Sequence, residues 1–212
     1  MTLKDELFGP DKEDVYKQLA SDLNGKFICG DFYNPIKVEV PFKNWTITID
    51  TNVTKDFNVG SSNPYGDSEY TRIRVPFIKT GNFQIAITNA NTFDSITKLF
   101  GAKDIIIGDQ KFDDLFTIKG NDEIKVKLLF SNSLIRHLLI EIKKINLVIR
   151  EQEGFLGTQL PETVNELFFK AKDVILETEK LKLLVQLFSE ILEELHNIGC
   201  AKNDNPNINL TY

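Results

Sequence analysis

The chain has 212 residues, of which 42% are hydrophobic, and its 25 basic and 31 acidic side chains give a formal net charge of -6. This length and apolar content suffice for a core without disulfides or metals, and the scattered cations argue against a nucleic-acid-binding surface. Cys29 and Cys200 lie far apart and form no C-x-x-C motif, which favours free thiols in a reducing compartment.

The first residues, MTLKDELFGPDKEDVY, are acidic and lack the basic and apolar regions of a signal peptide. Polar residues interrupt every apolar stretch well before the ~20 residues that a membrane span needs. The sequence therefore predicts a soluble, cytoplasmic protein without a transmembrane segment.

The first predicted helix begins at Asp11, a suitable N-cap, and carries an apolar stripe at Val15, Leu19 and Leu23. Gly25 is expected to end it.

A hairpin follows, in which KVEVPF and WTITID flank a turn at Lys43 and Asn44. One register places Phe42 opposite Trp45, and every apolar residue of both strands then falls on one face. Asn44 tolerates the positive φ that a primed turn demands, whereas Lys43 fits such a turn less well.

Residues 51–68 are rich in Asn, Ser, Gly and Asp without a sustained period, which predicts a long loop, mobile or functional. A second hairpin is predicted next. The inward-facing residues of its first strand are matched by inward-facing residues of a second strand, after a turn at 80–82. The inward residues are Thr71, Ile73, Val75 and Phe77, and then Phe83, Ile85 and Ile87.

From residue 91 onward, the apolar pattern predicts both helices and short strands. Helices are predicted at 91–100, from Asp109, from a cap at Asn121 and from Ser131. Short strands are predicted at 105–108, at FTIKG, at INLVIRE and at ELFFKAKDV, with a loop between Gly154 and Pro161.

The strongest single element is the last helix, which ends at Gly199. Its stripe repeats at spacings of three and four residues and comprises Leu181, Leu184, Phe188, Ile191, Leu195 and Ile198. The predicted fold class is α+β: an antiparallel sheet built from consecutive hairpins, with helices including the long C-terminal one packed on one side. We predict one domain over 1–199, with two lobes meeting near residue 90 as the alternative, and a polar, frayed tail over 200–212.

No catalytic, cofactor-binding or metal-binding residue is predicted. His137 and His196 stand in no recognisable motif, and no glycine-rich phosphate loop opens a helix. An acidic cluster does not have the spacing of a calcium loop, so its members are interpreted as helix caps and first-turn residues. The cluster comprises Asp109, Asp113, Asp114, Asp122 and Glu123.

Tyr70, Arg72 and Arg74 share the face of their strand opposite the apolar one. Because Tyr and Arg are enriched at interface hot spots, these three residues are the candidates for a partner-binding strip. The alternative is an ordinary solvated sheet face.

From Asp109 the chain reads D-x-x-F-D-x-x-F-x-I-x-G-N-D-E. This element resembles one of an uncharacterised bacterial domain family, often the soluble part of membrane-anchored proteins, over roughly residues 25–199. The matching positions are Phe112, Asp113, Phe116, Ile118, Asn121 and Asp122. The resemblance implies an α+β fold but no established activity, and nothing in the sequence matches the family's amino-terminal membrane helices.

The sequence does not assign a function. A non-enzymatic interaction module, with a protein partner or a second copy, is the leading hypothesis. The alternative is a carrier of an apolar small ligand in a cavity between the sheet and the C-terminal helix. An enzyme assembled from distant residues stays open.

Overall fold

The computed structural model describes residues 11–31, 35–57, 65–90, 104–151 and 159–210. Within these ranges the helices are α1 (Lys12–Asp22), α2 (Gln110–Leu115), α3 (Glu123–Leu129), α4 (Ser133–Ile142) and α5 (Thr178–Asn197). The strands are β1 (Lys26–Ile28), β2 (Lys37–Phe42), β3 (Trp45–Phe57), β4 (Tyr65–Ile78), β5 (Ile85–Asn89), β6 (Phe116–Gly120), β7 (Asn146–Arg150) and β8 (Val164–Lys170).

All eight strands belong to one antiparallel sheet with the order β1-β2-β3-β4-β8-β7-β5-β6, and the helices lie on one side of it. The predicted α+β class, with α5 among the packed helices, is confirmed. We call the covered side the helix face. A continuous apolar row crosses it, formed by Val38, Ile49, Ile73, Phe169, Leu147, Ile87 and Ile118.

The β2–β3 hairpin has the predicted register, with Phe42 opposite Trp45, and Val38 opposite Ile49. The positive φ of its turn lies at Lys43, at 52°, the turn residue expected to fit it less well. The carboxamide of Asn44 instead donates to the carbonyl of Asn203 at 2.8 Å.

The predicted loop at 51–68 is wrong at both ends, because β3 continues to Phe57 and β4 begins at Tyr65. In the described part of the chain these strand ends pair with each other, and their sequence has no sustained alternation from which two strands could be predicted. Residues 58–64 lie outside the described residues.

The predicted second hairpin is also wrong. β4 pairs with β8, with Val75 opposite Leu167, whereas β5 pairs with β6 and β7. Alternation shows which face of a strand is buried, but it does not identify the neighbouring strand.

The helix boundaries differ in detail. Asp11 and Asp109 cap α1 and α2 as predicted, but Asp122 caps α3 in place of Asn121, and Asn132 caps α4. The predicted helix at 91–100 lies outside the described residues. Residues 105–108 form no strand, although the Ile105 N–H donates to the Ile118 carbonyl at 2.8 Å.

The left-handed residue that follows the end of α1 is not Gly25 but Asn24, one residue earlier, with a φ of 50°. Gly25 is required for another reason: a Cβ there would lie 2.8 Å from the Glu39 carbonyl oxygen. The chain can therefore pass this close to β2 only without a side chain.

The chain after α5 is not frayed over residues 200–210, contrary to the prediction. Cys200 and Ala201 are buried, and the Lys202 N–H donates to the Ile78 carbonyl at 2.9 Å. Leu210 is also buried. The polar, Asn-rich composition predicted a solvated tail, but the few apolar residues of this segment pack on the protein surface.

Candidate functional site

The side of the sheet away from the helices, which we call the second face, is not simply solvated. A row crosses it through Glu39, Thr48, Arg74, Phe168, Val148, Ala86 and Lys119. Thr48, Arg74, Phe168, Val148 and Ala86 are all buried. Because buried charged residues are uncommon, this face holds the candidate site.

Asp50 lies at the centre of a buried ionic cluster on the second face. It stands opposite Arg72, whose Nε lies 2.5 Å from Asp50 Oδ1, and Arg74 Nη2 lies 2.6 Å from Asp50 Oδ2. Asp50 and Arg74 are 0% exposed and Arg72 is 5% exposed. Removing three charges from water is tolerated only when their mutual geometry is good, as it is here. We call these three residues the Asp50 cluster.

A second buried pair lies farther along the same face. Arg150 places Nε at 2.8 Å and Nη2 at 2.7 Å from Glu166 Oε2, and Glu166 is fully buried. The Arg150 guanidinium lies 3.6 Å from the ring centroid of Phe168, a cation–π contact that also covers the ring. In both groups the carboxylates are bonded to guanidinium groups that stay charged at every accessible pH, which suits orientation of the strands rather than proton transfer.

The predicted partner-binding strip is contradicted by this arrangement. Tyr70, Arg72 and Arg74 do share one face, but Arg72 and Arg74 are buried and bonded to Asp50, so they cannot contact a partner. Tyr70 is partly buried, with the Lys170 ammonium 4.1 Å from its ring centroid. The solvated-face alternative is equally wrong at the two arginines.

Asp50, Arg150 and Glu166 were missed by the sequence reading. The signal for Asp50 was present, since it follows Thr46 and Thr48 on the polar face of the predicted hairpin. This signal identifies the Asp50–Arg72 pair only if residues 51–68 are predicted as a hairpin, because that pairing places Asp50 opposite Arg72. Arg150 and Glu166 meet through the β7–β8 pairing, which sequence spacing does not reveal.

The C-terminal segment, residues 203–210, runs over the second face. Residues 205–210 and the strand residues Glu39, Thr46, Thr48 and Pro76 line a cavity of about 310 Å³ that opens to solvent. Thr48 is buried at its floor, and Glu39 is neutralised by Lys37 Nζ at 2.8 Å. The cavity is therefore polar but carries little net charge.

A two-stranded arm, residues 52–57 and 65–70, extends beyond the sheet. β2 pairs with β3 only as far as Asp50, and β8 pairs with β4 only as far as Arg72. The Thr71 N–H donates to the Asp173 carbonyl and its carbonyl accepts from Ala171, so both groups point away from β3. Because this direction alternates along an antiparallel pair, the backbone groups of Glu69 and of Val53 opposite it also point outward.

The acidic cluster has structural roles among the described residues. Asp109 and Asp122 accept from Phe112 N and Lys125 N at the starts of their helices. The Asp113 carboxylate accepts from Ile107 N and Gly108 N, both at 2.9 Å. Within the described ranges no three His, Cys, Asp or Glu side chains are grouped so that they could hold a metal.

Tyr16 and Cys200 have shifted pKa values with a structural cause. Burial raises the pKa of Tyr16, whose hydroxyl lies 3.1 Å from Thr71 Oγ1. Burial likewise raises the pKa of the Cys200 thiol, which keeps it protonated at neutral pH. His196 Nδ1 lies 3.1 Å from the Ala201 carbonyl, at the turn that follows α5.

The space between α5 and the sheet holds packed side chains. Leu181, Leu184, Leu187, Phe188 and Leu195 are all fully buried there. The cavity under residues 205–210 and a second one beside Lys79, Glu151 and residues 160–164 both lie elsewhere. These described residues give the apolar-carrier hypothesis no support, and it stays a prediction.

The chain matches no protein-family profile, no curated protein and no solved structure at a significant level. The resemblance of the Phe112–Asp122 element to a bacterial family therefore stays a prediction. None of the helices in the described part of the chain is both long and apolar enough to cross a membrane.

Proposed function

We propose that this chain is a non-enzymatic, cytoplasmic protein-interaction module, which binds an extended strand of a partner protein along the outer edge of β3. The observation that carries the proposal is the arm. Its strands are paired with each other, and in the described residues no further strand pairs with either of them beyond Asp50 and Arg72.

An unpaired strand edge is a template for another strand, because its N–H and C=O groups already stand in the geometry of a ladder. A two-stranded ribbon is only marginally stable in water, and a third strand would stabilise it. The Val53 N–H at present donates to the Asn52 side chain at 2.7 Å, a local bond that a partner carbonyl would replace.

The β3 edge is favoured over the β4 edge. On the β4 side, the chain after β8 already bonds both backbone groups of Thr71, and Lys12 forms an ion pair with Glu69. On the β3 side, Val53 is 49% exposed and supplies an apolar side chain next to the outward backbone groups. Main-chain bonds would supply affinity and the Val53 side chain a part of the specificity.

Site-specific photocrosslinking in cells tests the proposal. Val53 is replaced by p-benzoyl-L-phenylalanine in one variant, and Ile124, which is 74% exposed on α3, is replaced in the control. We expect a discrete crosslinked protein from position 53 and not from position 124. Crosslinking that fails at 53, or that gives the same products at both positions, would contradict the proposal.

The crosslinked partner then permits a quantitative measurement. Val53→Pro removes the outward N–H without removing a bond between β3 and β4, and it should weaken binding at least tenfold, about 1.4 kcal/mol. Val53→Thr keeps the N–H and the strand propensity and should bind within about threefold of the parent chain. Isothermal titration calorimetry with the purified partner measures both.

A further inference from the structure

The hydrogen bonding of the C-terminal chain changes between residues 202 and 203. Up to Lys202 the chain is bonded by its backbone, since Thr80 N donates to the Cys200 carbonyl at 3.1 Å and Lys202 N donates to the Ile78 carbonyl at 2.9 Å. From Asn203 onward, the Asn44 carboxamide donates to the Asn203 carbonyl and links the segment to the β2–β3 turn.

The C-terminal segment largely bonds to itself. Asn207 N donates to Asn205 Oδ1 at 2.8 Å, and Asn207 takes a φ of 53°. The cavity of about 310 Å³ lies between residues 205–210 of the segment and Glu39, Thr46, Thr48 and Pro76 of the second face. Leu210 is only 8% exposed but does not belong to the main apolar core. Release of the segment would expose Leu210 and break the bond from Asn44, but it would leave the backbone bonds at residues 200–202 in place.

We infer that the groove on the second face is a peptide-binding site, and that residues 203–210 occupy it as a built-in competitor. The ligand that fits is a peptide with uncharged polar residues and an aliphatic side chain at the position of Leu210. This inference is independent of the arm, which lies beyond Asp50 and Arg72.

The chemistry of the groove determines this class of ligand. Thr46 and Thr48 offer hydroxyl groups that donate and accept, and the charge of Glu39 is compensated by Lys37. A charged ligand would lose hydration here without finding an unpaired opposite charge in the described lining. Residues 205–210, Asn-Pro-Asn-Ile-Asn-Leu, are themselves uncharged and match this lining.

The attached segment should compete strongly with a free peptide. A tethered ligand has an effective concentration on the order of millimolar. If the free peptide binds the open groove with a dissociation constant of roughly 10 µM, the attached segment would weaken its binding about 100-fold.

The test uses a fluorescein-labelled peptide of residues 202–212 and fluorescence anisotropy. A chain that ends after Lys202 keeps the bonds at residues 200–202 and the whole apolar core, and we expect it to bind the peptide. The full chain should bind at least tenfold more weakly. A full chain with Leu210→Asp should bind better than the parent chain, because its own segment has lost the apolar anchor.

Matched controls separate specific docking from adhesion. The labelled peptide with Leu210→Asp should not bind the truncated chain, and Asn44→Ala in the truncated chain should weaken binding of the unchanged peptide. Equal binding to the truncated and full chains would overturn the inference, as would no binding to a truncated chain whose circular dichroism is native. If the truncated chain does not fold, the Leu210→Asp full chain decides, and its failure to exceed the parent chain overturns the inference.

Discussion

Ile73 and Arg74 are adjacent in β4 and both are fully buried, yet they point to opposite faces of the sheet and depend on different interactions. Ile73 lies in the apolar row of the helix face, where burial removes hydrocarbon from water. Arg74 lies on the second face, where burial is tolerated because Asp50 compensates its charge. The helix face is stabilised by the burial of apolar surface, and the second face by a small number of directional hydrogen bonds and ion pairs.

This difference predicts how each face responds to mutation. Apolar packing is distributed over many contacts, so the loss from one truncation scales with the volume removed. An ionic cluster behaves as a unit, so removing one member leaves the others buried without compensation.

The largest effect is expected on the helix face. Phe188→Ala removes a fully buried ring of α5 and should lower the free energy of unfolding by about 4 kcal/mol through lost transfer energy and a new cavity. Urea denaturation followed by circular dichroism measures the change. Leu183→Ala, a partly exposed neighbour on the same helix, is the control and should cost much less.

A mutation in the Asp50 cluster should lower the free energy of unfolding by a somewhat smaller amount. Replacing the whole cluster with apolar residues should restore much of that stability. Asp50→Asn leaves two buried guanidinium groups without a carboxylate and should cost about 3 kcal/mol, the lower end for such a loss because Asn still accepts hydrogen bonds. The triple variant Asp50→Leu, Arg72→Leu, Arg74→Met should recover much of that loss. A triple variant less stable than Asp50→Asn in the same urea titration would contradict the assignment of the loss to uncompensated guanidinium groups.

The smallest effect is expected at the helix surface, where Lys182 Nζ lies 2.6 Å from Asp22 Oδ2 and links α5 to α1. Hydrogen bonds from Lys182 and Gln18 lower the pKa of Asp22. Because the folded-state pKa is the lower one, this stabilisation is present above the ordinary carboxyl range near pH ~4 and is lost as the pH falls through the lowered pKa.

Asp22→Asn should therefore shift the urea midpoint slightly at pH 7 and not at all once Asp22 is protonated in the parent chain. A midpoint difference that grows on acidification would contradict this assignment. Asp14→Asn, in the first turn of the same helix, controls for a change of charge alone.

The elements that the sequence predicted correctly are those whose contacts lie between residues close together in the chain. The register of β2–β3 follows from the apolar pattern of twelve strand residues around a two-residue turn, and α5 follows from its broad stripe. The caps at Asp11 and Asp109 are equally local. In each case the partners lie within a few residues, so spacing alone contains the answer.

The parts that sequence reasoning missed depend on distant partners. β4 has an inward face that β5 could also have satisfied, but β8, about ninety residues later, takes that position. Arg72 and Arg74 look like exposed residues until Asp50 is placed opposite them. The C-terminal segment looks solvated until the second face is available to cover. None of these pairings is expressed in local spacing.

The β4–β8 junction also sets an order of events during synthesis. Residues 37–78 can form β2, β3 and β4 as soon as they leave the ribosome, but the edge of β4 stays unpaired until residue 170 has followed. α5, which closes the helix face, is later still. A nascent chain paused between these points exposes both an apolar surface and a free strand edge, the combination that chaperones recognise and that aggregation exploits.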